Sequence, residues 1–157
     1  MNGINEKDIY AFVDAISNFF LHLTDEKVEI KTAYLLQSDV PSATFDLTSY
    51  ITLSGNFTGR IYFSAPRSML AHLLISMGEQ NRCNDRLLDA AGEIANTISG
   101  NVRKHFGETM EISVPTSQET GSDWLRSVAS PQSYIILIKW KQYRASVVVD
   151  IQRSTQK

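Results

Sequence analysis

Residues 48–66, TSYITLSGNFTGRIYFSAP, leave this chain few choices of architecture. Two runs rich in β-formers are joined by GNFTG, a glycine-marked turn that reads as a hairpin. Pro66 then stands where a helix can accept a proline, in its first turn. The following RSMLAHLLISMG carries an apolar stripe and stops at Gly78, a residue suited to ending a helix. A hairpin that runs directly into an amphipathic helix needs a sheet with a helix layered on it.

The rest of the chain repeats these ingredients. Ile9, Phe12, Val13, Ile16, Phe19, Phe20 and Leu23 recur at three- and four-residue steps, which predicts a helix over 6–23. Residues 27–36 alternate and predict a strand, and a long helix is expected from about Asn84 to Phe106, stopped by Gly107. TMEISVP (109–115) is a short strand, followed by the polar loop TSQETGSDWLRS. SYIILIKW and RASVVVDI flank a turn at 141–143. The expectation is an α/β (α+β) fold: a six-stranded, largely antiparallel sheet with three helices on one face. No linker divides the chain, so residues 1–157 read as a single domain, and 43% hydrophobic content suffices for one core.

Charge removes several function classes. Fifteen basic and seventeen acidic residues give a formal net charge of −2, which argues against the clustered basic surface that nucleic acid requires. The single cysteine, Cys83, permits no internal disulfide, so a reducing, cytoplasmic setting is expected. The first twenty residues lack a basic segment and cleavage site of the secretory kind, with acids already at Glu6 and Asp8. No apolar run approaches the roughly 18 residues of a membrane span. P-loop, G-x-G-x-x-G and G-x-S-x-G patterns do not occur, the last around Ser42, Ser54 and Ser64 included.

The helix LLDAAGEIANTISGNVRKHF (87–106) is unusual in its glycines. Gly92 and Gly100 each cost roughly 1 kcal/mol relative to alanine. At about 100° per residue, Leu87, Ala91, Ile94, Ile98, Val102 and His105 fall on one stripe, which is expected to be buried. Asp89, Glu93, Asn96, Gly100 and Arg103 cluster on the opposite side, with Gly92 and Ser99 at the border. Alanine or lysine would make a better solvated helix, whereas small residues beside a polar pair leave room for a partner's backbone. The ridge therefore reads as a docking surface with Asp89, Gly92, Gly100 and Arg103 around Glu93 and Asn96. Asp89, early in the helix, also favours its first turns through the helix dipole. A faint internal echo relates DAISNFFL (14–21) to DAAGEIAN (89–96), aligning Asn18 with Glu93 and Leu21 with Asn96.

Asp89-x3-Glu93-x2-Asn96 within GEIANTISGN resembles the helix motif of the CheC/CheX/FliY family of response-regulator phosphatases. The resemblance extends upstream through YITLSGNFTGRIYFSAPRSMLAHLLISMGE and downstream to SVP, covering about residues 48–116. A single intact motif is similar to CheX rather than to the two-motif CheC, and the degenerate first helix fits that. Pro115 follows Asn96 sooner than the family pattern has it, which leaves its role open. The resemblance implies hydrolysis of the aspartyl-phosphate on a CheY-like receiver domain, in chemotaxis or related two-component signalling. It implies that Asn96 positions the attacking water and that Glu93 pairs with the receiver's lysine. It further implies no cofactor or metal of the chain's own, because the divalent metal, Mg2+, comes bound to the receiver. A homodimer joined through sheet edges is also implied, and the β-rich C-terminal hairpin is expected to offer such an edge.

The alternative is a non-catalytic receiver-binding module of a flagellar switch or signalling complex. His22, His72 and His105 lie on different elements and read as structural, and Cys83 reads as an incidental thiol. Trp124, in the polar loop, either anchors a partner or covers the core.

Overall fold

The computed structural model describes residues 4–35 and 44–154. Leu36, which ends the first expected strand, and Ser42 lie outside these. Helix α1 (Glu6–Thr24) starts with a reciprocal cap. The Asn5 side-chain oxygen accepts the Asp8 N–H at 3.0 Å, and the Asp8 carboxylate accepts the Asn5 N–H at 2.9 Å. Two otherwise unpaired donors of the first turn are thereby satisfied. Strand β1 (Glu29–Leu35) follows, then β2 (Leu47–Gly55), β3 (Phe57–Ala65) and helix α2 (Arg67–Ser76). The long helix α3 spans Asn84–Phe106, and β4 covers Met110–Ile112. The remainder is β5 (Thr116–Glu119), α4 (Trp124–Val128), β6 (Tyr134–Trp140) and β7 (Tyr143–Arg153).

The strands form one sheet in the order β1-β6-β7-β3-β2-β4, with β5 also on the outer side of β2. All pairings are antiparallel. The mixed α/β class and antiparallel sheet are those expected. The described residues hold seven strands and four helices, where six and three were expected. The additional pair, β5 and α4, falls in the polar stretch 116–128. β5 has no apolar alternation to announce it and forms because β2 offers an unpaired edge, Leu47 facing Glu119 and Tyr50 facing Thr116.

Helices α1, α2 and α3 cover one face of the sheet. Phe12, Ile16 and Phe20 of α1 share a core with Leu70 and Leu73 of α2, Ile94 and Ile98 of α3, and Ile51, Ile61, Val147 and Ile136 of the strands. α4 departs from the one-face expectation, because its Leu125 packs on Tyr62, Ile135 and Val148 across the sheet. Trp124 is half-buried there, stacked on Tyr50 and edge-on to Tyr62. It covers the sheet.

The C-terminal hairpin also differs from expectation. β6 pairs with β1 as well as β7, and β7 pairs with β3 as well as β6. Its dense β-formers are buried on both faces, the pattern of central strands rather than an open edge. At the β2–β3 turn Gly55 has φ +92°, and a Cβ there would lie 2.0 Å from the Thr109 carbonyl oxygen. Only glycine fits that conformation and approach.

Candidate functional site

Helix α3 buries Leu87, Ala91, Ile94, Ile98 and Val102 against the sheet, as its period requires. Glu93 and Asn96 lie on the exposed side. Three residues apart, they sit about 4.5 Å apart along the axis and on neighbouring ridges. Asp89 is one turn upstream, exposed, with its carboxylate 3.9 Å from the Arg86 guanidinium. Both of those side chains are in solvent, so the pair contributes little to stability.

The wall beside the pair comes from β4 and β5. Leu53 faces Ile112, whereas Tyr50 faces Thr116. Three steps along β2 thus match four along its partner, so residues 113–115 hold one extra residue, a β-bulge. Pro115 is suited to such a break because it has no N–H to donate to the ladder. The bulge brings Pro115 and Ser117 onto α3 at Gly92. A Cβ on Gly92 would stand 3.3 Å from Pro115 Cγ and 3.2 Å from Ser117 Oγ. Ser117 is held in turn by donating to Ser49 Oγ at 3.0 Å. Pro115, Ser117 and Gly92 line an open cleft of about 970 Å³ together with Glu93 and Asn96. Leu74 and Met77, from the end of α2 and the residue after it, line the same cleft, together with Leu88 of α3. Glu79, Asp85 and Asp89 add carboxylates to the same opening.

Several ridge residues have roles other than those expected. Gly92 is buried rather than bordering solvent, and its missing side chain accommodates Pro115 within the molecule. Arg103 is half-buried and occupied internally. Its Nε donates to the Met110 carbonyl at 2.6 Å and an Nη to that of Glu108 at 3.2 Å. It fastens the end of α3 to β4 rather than serving a docking ridge. His105 is not on the buried stripe: its side chain is 38% exposed and its Nε2 lies 2.7 Å from Asp8 Oδ1. The stripe at that end passes to Phe106, whose ring packs on Phe57 and Phe12 with centroids 4.9 and 6.1 Å apart. Gly100 does keep open space, since a Cβ there would meet nothing within 4 Å.

Other singled-out residues fall into structural places. His72 Nδ1 lies 3.2 Å from the Tyr143 hydroxyl, with its ring edge-on to Trp140. Cys83 is an exposed free thiol. The echo segment of α1 places Asp14, Asn18 and Leu21 along a shallow groove shared with Asn101 and Lys104 of α3. The two helices that carry the echo are therefore neighbours. The cleft residues Pro115, Ser117, Leu74, Met77 and Leu88 were not singled out as a site from sequence. A proline closing a short polar-flanked strand was the one available signal.

An exposed carboxamide can hold a water through its carbonyl while its NH2 donates to an oxyanion, without changing protonation near neutrality. An exposed carboxylate one turn away can pair with a partner's cation.

The model of the family "Chemotaxis phosphatase CheX" matches residues 47–139, from the first residue of β2 into β6. No curated protein matches the chain in sequence. Among solved structures it is similar to the chemotaxis protein CheX from Vibrio vulnificus, with TM-score 0.75 and 13% identity over 93% of this chain and 99% of that one. The CheX–CheY–BeF3–Mg2+ complex from Borrelia burgdorferi gives TM-score 0.71 at 16% identity, covering 92% and 97%. Thermotoga maritima FliY gives 0.59 at 11%, covering 94% and 91%. The likenesses show a shared fold, and the family model spans the hairpin, the motif helix, the bulged edge and part of the central hairpin. The chain belongs to the CheX family of chemotaxis phosphatases.

Proposed function

We propose that this chain hydrolyses the aspartyl-phosphate of a CheY-like receiver domain, with Glu93 and Asn96 as its catalytic residues. The observation that carries the reading is their placement together on the exposed side of α3, where both line an open cleft. An acyl phosphate is already activated, so hydrolysis needs chiefly a water held in line and stabilisation of charge. Asn96 accepts a hydrogen bond from that water through its carbonyl oxygen and aims it at phosphorus. Glu93 pairs with the receiver's lysine and sets the helix in the partner's site. The divalent cation, Mg2+, belongs to the receiver and supplies charge neutralisation at the phosphoryl oxygens. Asp89 contributes to seating on the same exposed side. A cytoplasmic encounter with the receiver follows from this reading, and a homodimer joined through sheet edges is a separate part of the proposal. Among the described residues the outermost strands are β1 on one side and the β4–β5 row on the other.

The test is Asn96→Ala in a single-turnover decay assay with saturating chain over a receiver phosphorylated by a small-molecule donor. Removal of one well-placed polar group in a site of this type is expected to slow decay about 10²–10³-fold, with binding largely kept. Wild-type decay at saturation in this variant would remove Asn96 from the catalytic machinery, and decay at the receiver's intrinsic rate with the unaltered chain would remove the enzyme reading.

A further inference from the structure

We infer that Gly100 is a positioning residue of this reaction: its missing side chain lets the receiver's backbone settle onto α3 one turn beyond Asn96. The inference rests on the phosphatase reading above and assigns a part of the contact that the polar pair does not supply. It starts from a contrast between two glycines in one helix. Gly92 is explained inside the molecule, since Pro115 and Ser117 occupy the space a side chain would take. Gly100 has no such neighbour, and a Cβ there would meet nothing within 4 Å. It also has no need of glycine's conformational freedom, standing well inside regular helix between Asn84 and Phe106. A mid-helix glycine is unfavourable relative to alanine, and nothing within the fold compensates for it.

Position supplies the reason. Gly100 is four residues after Asn96, about 6 Å along the axis and rotated by only about 40°. A stable protein–protein contact covers about 800 Å² per partner, which as a disc has a radius of about 16 Å. A contact of that size centred on Glu93 and Asn96 covers Gly100. Beyond it the surface stays recessed, in a groove of about 380 Å³ that Gly100 shares with Arg103, Lys104, Gly107 and Glu108. The Arg103 guanidinium is drawn down to the Met110 and Glu108 carbonyls and does not fill this space. A methyl at position 100 would raise the helix surface inside that footprint. The receiver would seat less tightly, with Asn96 still reaching the phosphoryl group once it is bound.

Gly100→Ala and Gly100→Leu separate this from a structural role. Alanine is the better helix former, so its thermal midpoint is expected to rise by roughly 2–4 °C. Its half-saturating concentration for a CheY-like receiver, phosphorylated by phosphoramidate with Mg2+, should rise about tenfold, as expected for a methyl forced into a close contact. Leucine should raise it further, and decay at saturation should stay within about threefold of wild type for both. Binding of the fluorescently labelled receiver, read by anisotropy without turnover, should weaken in step. Unchanged half-saturation and binding in both variants would overturn the inference, as would lost turnover at saturation with binding intact. If the wild-type chain bound the receiver without speeding decay, the phosphatase reading would fail, yet anisotropy would still decide the role of Gly100. If it did not bind, both would fall.

Discussion

Asn96 and Glu93 are both exposed on α3 but carry different chemistry, and substitutions should separate them. The amide acts on water, so its loss appears at saturation. Glu93 acts on a partner cation, so Glu93→Ala should raise half-saturation and slow turnover together. Glu93→Gln should recover shape but not charge, and the salt dependence of half-saturation should flatten in both variants, because an interfacial ion pair is what ionic strength screens. A salt dependence unchanged from wild type would show that Glu93 does not pair with charge. Asp89→Ala, which removes a solvent-exposed partner of Arg86, should change thermal stability by no more than about 0.5 kcal/mol. A larger loss in a melting experiment would contradict its placement.

At the scale of elements, the long helix was legible because its period is strong. Ile94 and Ile98 are buried and Glu93 and Asn96 exposed, as spacing alone required. What spacing could not show was the neighbour. A helical wheel put Gly92 at the edge of solvent, but the bulge at 113–115 closes that edge. The bulge arises from pairing between residues more than fifty positions apart in sequence. The wheel likewise placed His105 inside, although the helix there is near its end and Asp8 of α1 draws the ring outward. Arg103 looked like a surface cation because nothing local announces that two backbone carbonyls await it. Its removal in Arg103→Ala should lower stability by about 1–3 kcal/mol, since those charge-assisted bonds are lost. Ile98→Ala, which empties a fully buried site in α3, should lower it by about 2–5 kcal/mol. Chemical denaturation measures both, and an Ile98→Ala loss below about 1 kcal/mol would place that side chain outside a packed core.

For the molecule as a whole, the hairpin-into-helix signature fixed an antiparallel sheet layered with helices. The second face was not legible, because α4 is only five residues long and its cover of Tyr62 depends on strand order. The same strand order moved the C-terminal hairpin from edge to centre, leaving β1 and the β4–β5 row as the outer strands among the described residues. A homodimer through such edges should give a light-scattering mass near twice 17.6 kDa, and a monomer at high concentration would exclude it. The central claim is that the assembled cleft turns over a receiver's phosphate rather than only holding it. It is tested most directly by adding the chain, well below stoichiometry, to a phosphorylated CheY-like receiver and following loss of phosphoryl-aspartate. The account predicts many receivers dephosphorylated per chain, faster than their own decay. Stable binding with decay at the receiver's intrinsic rate would contradict it and leave a receiver-binding module.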